Sequence, residues 1–313
     1  MTNRFNELWV EKYRPTDLKN YVFENASHEA SFKAFIKAKS IPHLLLSGMQ
    51  GSGKSTIAQI LIKKLGIDPI DVLYLNASDS NSIDDMRHMI KNFVMSYAYG
   101  NSATKVVLLE EGDYITHNAQ GVLRRLMEDY SDDARFIITA NHANKIIPAI
   151  KSRCQHFIFK AADRTDIASY VAKILIKEDV KFELDALDLY VSAGYPDIRK
   201  IVNSVQQHVV KGALMNVSNM ENDTDDYNIS LMTHIANDDW LGARKVLCDN
   251  VPNEEMESIF RFLYLNIHKS KKFADQDNWE FAQIEIAEHL WMHSLVADPE
   301  INLSALFIKL KNI

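Results

Sequence analysis

Over its first half the chain alternates short, mostly apolar runs with stretches of helical spacing, and over its second half only the helical spacing remains. The run 44–46 is short and wholly apolar, as a strand buried on both faces is, and 72–75, 105–109, 135–140 and 156–159 read as further strands. Between them, 56–65, 82–97 and 118–130 repeat apolar residues every three or four positions. Residues 28–39 do the same, with Phe32, Phe35 and Ile36 on one face and Lys33 and Lys37 on the other. This alternation predicts an α/β fold, a mainly parallel sheet covered by helices on both faces, with ligands beyond the carboxyl ends of the strands. After residue 159 the strand signal fades, and 165–177, 184–192 and 197–211 read as helices, the last two separated by Gly194, Tyr195 and Pro196. Residues 216–230 carry Glu221, Asp223, Asp225 and Asp226 with no Lys or Arg, which suits a solvated linker. Residues 231–313 are helical again. The expected division is an α/β domain over 1–160, a small helical domain over 161–215, an acidic linker over 216–230 and an all-α domain over 231–313.

Composition narrows this picture in three ways. A net charge of -7 does not suggest a nucleic-acid binder, although a local basic surface can bind DNA on an acidic protein. In 231–313 eight Lys and Arg stand against thirteen Asp and Glu, so a packing or assembly role suits that part better than DNA reading. Two cysteines, Cys154 and Cys248, fit a reducing compartment and argue against a disulfide framework or structural zinc. No apolar run reaches bilayer length, and MTNRFNELWVEKYRP lacks a signal-peptide core, so a soluble, cytoplasmic protein without membrane partners is expected.

The chemistry centres on Gly48 to Ser55, GMQGSGKS, which fits GxxxxGKS at every fixed position and lies between a buried strand and a helix. Gly48, Gly51, Ser52 and Gly53 let the backbone wrap a phosphate with its amides and the positive end of the helix that Thr56 continues. Lys54 then offers a charge to the terminal phosphates of ATP, and the Ser55 hydroxyl a ligand for Mg2+. The run 105–113, KVVLLEEGD, ends in carboxylates: Glu110 is the expected magnesium-associated acid and Glu111 the acid that orients attacking water. Asn141 closes the strand FIITAN, and position alone leaves it open between a γ-phosphate neighbour and a turn residue. Arg153, in Ser152-Arg153-Cys154, could face a neighbouring subunit's nucleotide, or be one basic residue among many. Near the N-terminus, WVEKYRP is expected to be an arm with Tyr13 and Arg14 extended before Pro15.

WVEKYRP, GMQGSGKS, the acid-ended strand, FIITAN, Ser-Arg-Cys and PDIRK occur in the order found in sliding-clamp loaders, across essentially the whole chain. The sequence resembles the AAA+ replication factor C small-subunit family, and within it the clamp-loader ATPase subunits of T-even-type bacteriophages. The resemblance implies an AAA+ domain, a helical lid over 161–215 and an oligomerising collar over 231–313. It implies a DNA-stimulated ATPase using ATP and Mg2+, whose partners are a sliding clamp, primer-template DNA, copies of itself and a distinct companion subunit. By the same resemblance Tyr13 and Arg14 border the adenine, Asn141 is a first sensor, Arg199 of PDIRK a second, and Arg153 a finger acting in trans. Arg87 and Lys91 match positions that track the DNA backbone, Gln120 a coupling glutamine, and Arg124 a candidate for the subunit boundary. Two positions depart from the family: Glu110 replaces the usual Asp with a side chain one methylene longer, and Asn81 is neutral where a basic residue is common. Glu110 therefore keeps open an ATP-binding scaffold with little hydrolysis; a related AAA+ initiator or branch-migration motor is the other alternative.

Overall fold

The computed structural model describes residues 7–78, 83–96, 104–215, 227–251, 255–273 and 276–313. Asn81 and residues 216–226 of the expected acidic linker lie outside these. The chain forms two compact units, one of 1–166 with Pro196–Arg199, the other of 167–195 with 200–313.

The first unit opens with α1 (Trp9–Lys12), one helical turn that buries Trp9. This corrects the extended arm expected there: Tyr13 closes the turn at φ -100° and ψ 8°, because proline constrains only the residue directly before it, which is Arg14. Helix α2 (Ala26–Ala38) follows, its first turn capped by the side-chain Oδ1 of Asn25 accepting from Ser27 N. Then β1 (Leu44–Gly48), α3 (Lys54–Lys64), β2 (Val72–Asn76), α4 (Ile83–Met95), β3 (Lys105–Glu110), α5 (His117–Asp129), β4 (Ala134–Ala140), α6 (Pro148–Lys151) and β5 (Gln155–Phe159) alternate in sequence. All five strands are parallel, in the order β2-β3-β4-β1-β5.

The apolar runs explain why the sheet is covered twice. Successive side chains of a strand point to opposite faces. Leu44 and Leu46 of β1, with Val106 and Leu108 of β3, pack with Phe32, Ile57 and Leu61 on one face. Leu45, Val107 and Leu109, with Phe136 and Ile138, pack with Ile90, Leu123 and Met127 on the other. Each fully buried Leu or Ile contributes about 2 kcal/mol by its burial, so the two layers fix the strand register, and with it the strand ends.

The second unit is helical. α7 (Arg164–Lys177), whose first three residues belong to the first unit, is followed by α8 (Leu184–Gly194) and α9 (Ile198–Gln207), whose first two residues also belong to the first unit. The helix expected over 197–211 stops at Gln207, and a small antiparallel pair, β6 (Val209–Val210) and β7 (Ala213–Leu214), takes its place. Lys211 and Gly212 both take positive φ, 50° and 77°, the two-residue turn that joins strands with the natural twist; β-branched Val209 and Val210 favour the pair. Helices α10 (Tyr227–Ala236), α11 (Trp240–Asn250), α12 (Met256–Asn266), α13 (Gln276–His293) and α14 (Pro299–Asn312) complete the unit. Helix α10 begins inside the expected linker, at Tyr227. Trp240, Phe260, Phe273 and Phe307 fill the core of these helices. A buried polar clasp joins α13 to α14: His289 Nδ1 and Asn302 Oδ1 are 2.8 Å apart, and Asn302 Nδ2 donates to His289 O at 2.8 Å. No described helix is long and apolar enough to cross a membrane.

Candidate nucleotide site

The site is built where the parallel strands end. Leu109 of β3 pairs with Ile138 of β4, and Ala140 of β4 with Ser47 of β1. The chain therefore leaves the sheet along one edge: Glu111 follows Glu110, the last residue of β3, Asn141 follows β4, and the loop follows Gly48, the last residue of β1.

The loop from Gly48 to Gly53 leads into α3, whose N-cap is Gly53 at φ 87°. None of its three glycines admits a side chain, and a Cβ on Gly48 would lie 2.1 Å from Phe159 O. A Cβ on Gly51 would lie 1.9 Å from Asp197 Oδ1, and one on Gly53 2.7 Å from the Tyr21 hydroxyl oxygen. The buried Tyr21 hydroxyl donates to Ser52 O at 3.2 Å, and burial raises its pKa. Ser52 Oγ is buried and finds no hydrogen-bond partner among the described residues. A buried hydroxyl left unpaired is costly, and a phosphate oxygen would satisfy it. With the N–H groups of the first turn of α3 beside it, the loop fits a polyphosphate.

Lys54 is the first residue of α3 and is buried. Its ammonium donates to Gly48 O at 2.9 Å, Met49 O at 2.7 Å and Asn141 Oδ1 at 3.0 Å. Burial pulls its pKa down to about 8; Asp113, Asp197 and Glu111 act the other way, and Arg199 adds to the depression. Ser55 and Thr56 continue the helix, and Arg14 Nε donates to Thr56 Oγ1 at 3.2 Å. Arg14 thus borders the helix that starts from the loop.

Glu111 takes the left-handed conformation at φ 56°, uncommon for a residue with a side chain, and its N–H donates to Thr139 Oγ1 at 3.2 Å. Glu110 ends β3, and its carbonyl accepts from Ala77 N at 2.9 Å. β4 separates its strand from β1, so about 10 Å of sheet divides the Glu110 backbone from the loop strand. Among the described residues, no group of three or more His, Cys, Asp or Glu is placed to hold a metal. A magnesium ion here would draw on Ser55 and the nucleotide's own oxygens, with Glu110 alongside.

Arg153 is exposed after α6. Its Nη2 pairs with Glu128 Oε1 of α5, and its Nη1 donates to Ala149 O at 2.7 Å. Arg124, one turn earlier on α5, lies 3.9 Å from the same carboxylate. The structure therefore brings the two arginines together through Glu128, a residue the sequence did not single out. Cys154 beside them is a packing residue, its thiol pushed up to about 12 by burial. Gln120 is almost fully buried on α5 and uses its amide completely. Nε2 donates to Ile115 O at 3.0 Å and Lys145 O at 2.9 Å, and Oε1 accepts from Ile147 N at 2.8 Å. It ties the segment after the carboxylates to the segment that leads into α6 and Arg153.

Arg87 and Lys91 are exposed on one face of α4, opposite buried Met86, Ile90 and Val94. The end of α4 is held by the buried Lys105, whose ammonium donates to Phe93 O at 2.5 Å, to Ser96 O and to Ser96 Oγ. Arg199 is exposed in the first turn of α9, and its N–H donates to Asp197 Oδ1 at 2.8 Å. Sequence reading missed Tyr21, Asp113, Thr139 and Asp197. Only Asp113 and Asp197 had a visible signal, as acids inside KVVLLEEGD and PDIRK.

Residues 44–162 match the model of the ATPase family associated with various cellular activities (AAA). The chain is 40% identical over 204 residues to the replication factor C small subunit of Archaeoglobus fulgidus, covering 64% of this chain and 63% of that protein. It is 41% identical over 207 residues to the replication factor C small subunit of Sulfurisphaera tokodaii, covering 66% and 63%. The match thus spans less than two thirds of the length of these relatives. A solved structure of a RuvB variant from Thermotoga maritima superposes with a TM-score of 0.53 at 16% identity over 94% of this chain and 91% of that one. Another superposes with a TM-score of 0.54 at 16% identity over 80% and 79%. The fold is therefore AAA+: a phosphate-loop α/β domain followed by helical structure.

Proposed function

We propose that this chain is an ATP-hydrolysing subunit of a sliding-clamp loader, working on primer-template DNA with copies of itself and a distinct companion subunit. The observation that carries the reading is the convergence on Lys54, where a glycine loop at a helix start, the Asn141 side chain and the carboxylate-ended β3 meet at one sheet edge. The likeness to replication factor C small subunits supports the choice of loader among AAA+ functions.

The backbone amides of the loop and Lys54 hold the β- and γ-phosphates of ATP, Ser55 and Glu110 hold magnesium, and Tyr13 and Arg14 border the adenine. Magnesium, when bound, neutralises charge on the phosphate oxygens. Glu111 orients the attacking water, and Asn141 and Arg199 read the γ-phosphate. Arg153 of one subunit reaches the nucleotide of the next and stabilises the charge that develops there. Arg87 and Lys91 follow the DNA backbone, and Gln120 passes DNA contact to the carboxylate strand, with Arg124 at the subunit boundary. Residues 161–215 serve as lid and 231–313 as collar. On α13, Phe281, Ile284 and Trp291 are exposed at helical spacing, opposite the buried Ala282, Ile286 and His289, which suits a face that packs on another copy. ATP favours a spiral that holds the clamp open; DNA and clamp trigger hydrolysis and release, which requires ATP to bind the spiral more tightly than the inactive state.

Glu110 favours a second reading, in which the subunit binds ATP for assembly and scarcely hydrolyses it. Hydrolysis by the chain with its companion subunit, measured with and without primer-template DNA and clamp, separates the two. Stimulation that needs both DNA and clamp supports the loader. Flat, slow turnover with tight ATP binding supports the scaffold, and stimulation indifferent to the clamp contradicts both.

A further inference from the structure

The turn after β3 carries a third carboxylate that neither magnesium nor water requires. Asp113 is 6% exposed, and both its oxygens are engaged: Oδ1 accepts from Asn141 N at 3.0 Å and Oδ2 from His142 N at 3.2 Å. Two successive backbone N–H groups are thus held by one buried charge, and such charge-assisted bonds are about twice as strong as neutral ones. The turn itself is pressed on β4. A Cβ on Gly112 would stand 2.7 Å from Ile138 Cγ2, and Tyr114 N donates to Glu111 O at 2.9 Å. One residue earlier, Glu111 N donates to Thr139 Oγ1, so two rungs link the end of β3 to the end of β4. Between the rungs the backbone passes through the left-handed conformation at Glu111.

We infer that Asp113 is a positioning residue for ATP hydrolysis: its carboxylate clasps the backbone at Asn141 and sets that side chain relative to Glu111 and Lys54. The inference rests on the proposed nucleotide site. Asn141 Oδ1 accepts from the Lys54 ammonium, so moving the Asn141 backbone moves a direct partner of the phosphate-binding lysine. Displacements of about 1 Å at this distance from the chemistry can cost about 100-fold in rate.

The test uses the assembled complex with clamp and DNA. Asp113→Asn should leave ATP affinity at neutral pH within about threefold and lower kcat by about 10- to 100-fold. Asp113→Glu keeps the charge and shifts the carboxylate, so it should leave kcat low. The decisive comparison is a double-mutant cycle with Asn141→Ala: if Asp113 acts through Asn141, Asp113→Asn adds almost nothing in that background. Independent losses, or an Asp113→Asn enzyme within twofold of the natural kcat, overturn the inference. Should Asp113→Asn fail to fold, the same cycle is read with Asp113→Glu. Absence of hydrolysis by the natural complex would instead strike the functional reading on which the inference rests.

Discussion

The phosphate loop and the Ser-Arg-Cys turn stand at opposite extremes of one domain. Around Lys54 the polar groups are buried and tied to one another: the ammonium has three acceptors, and Tyr21 braces the loop through Ser52 O. Around Arg153 the contacts are an exposed ion pair with Glu128 and bonds to nearby chain. The first arrangement is nearly complete within one chain and couples function to stability. The second is held by interactions worth about 0–1 kcal/mol, so it is free to exchange Glu128 for a more strongly charged partner. A buried half and an exposed half are what the proposed sharing of a nucleotide site between two subunits would require.

The largest expected effect tests the exposed half. Arg153→Ala should lower kcat of the assembled complex by about 10³-fold, in the range of a lost arginine finger, while ATP binding by the isolated chain stays unchanged. Steady-state hydrolysis and calorimetric titration together check this; equal losses in both would place Arg153 in its own subunit's site. On the buried half, Lys54→Ala should weaken ATP binding by about 100-fold, or ~2.7 kcal/mol, read by titration calorimetry.

The pH dependence belongs to the same lysine. Its folded pKa, about 8, lies below the ordinary value of 10.5. The unfolded chain therefore binds more protons between these values, and Lys54 costs stability below pH 8, a cost that fades as pH rises from there towards 10.5. ATP needs the ammonium, so affinity should run oppositely, falling by up to about tenfold per pH unit above about pH 8. Flat affinity to pH 10 would show that Lys54 stays charged. A smaller effect is expected for Gln120→Ala, which strips partners from Ile115 O, Lys145 O and Ile147 N. Chemical denaturation should show a loss of about 2–3 kcal/mol, and a loss below about 0.5 would mean the three groups find water. Smallest is Glu128→Gln, expected to change stability by less than about 0.5 kcal/mol because the pair is exposed.

The same contrast explains what was legible in the sequence. GMQGSGKS, the apolar strands and the acid-ended β3 are local patterns, and the physics that makes them, alternation on a strand and amides at a helix start, is local too. The left-handed turn at Lys211 and Gly212 was also local, but the helical spacing of 197–207 was carried past its end. Asp113 was visible as an acid and not as a clasp, since its partners lie 28 and 29 residues away, across the sheet. Tyr21 and Asp197 press on the loop from distant points in the chain, which no periodicity records. Glu128 looked like a solvated helix acid until the fold set it beside Arg153.

The most direct measurement of a shared site mixes two defective chains. Arg153→Ala has an intact phosphate loop and no finger; Lys54→Ala has a finger and a disabled loop. Each, assembled alone with the companion subunit, clamp and DNA, should hydrolyse ATP poorly. Mixed before assembly, some boundaries pair the intact loop of one with the intact finger of the other, and turnover should rise well above the average of the separate rates. A mixture that never exceeds that average would mean that Arg153 does not complete its neighbour's site.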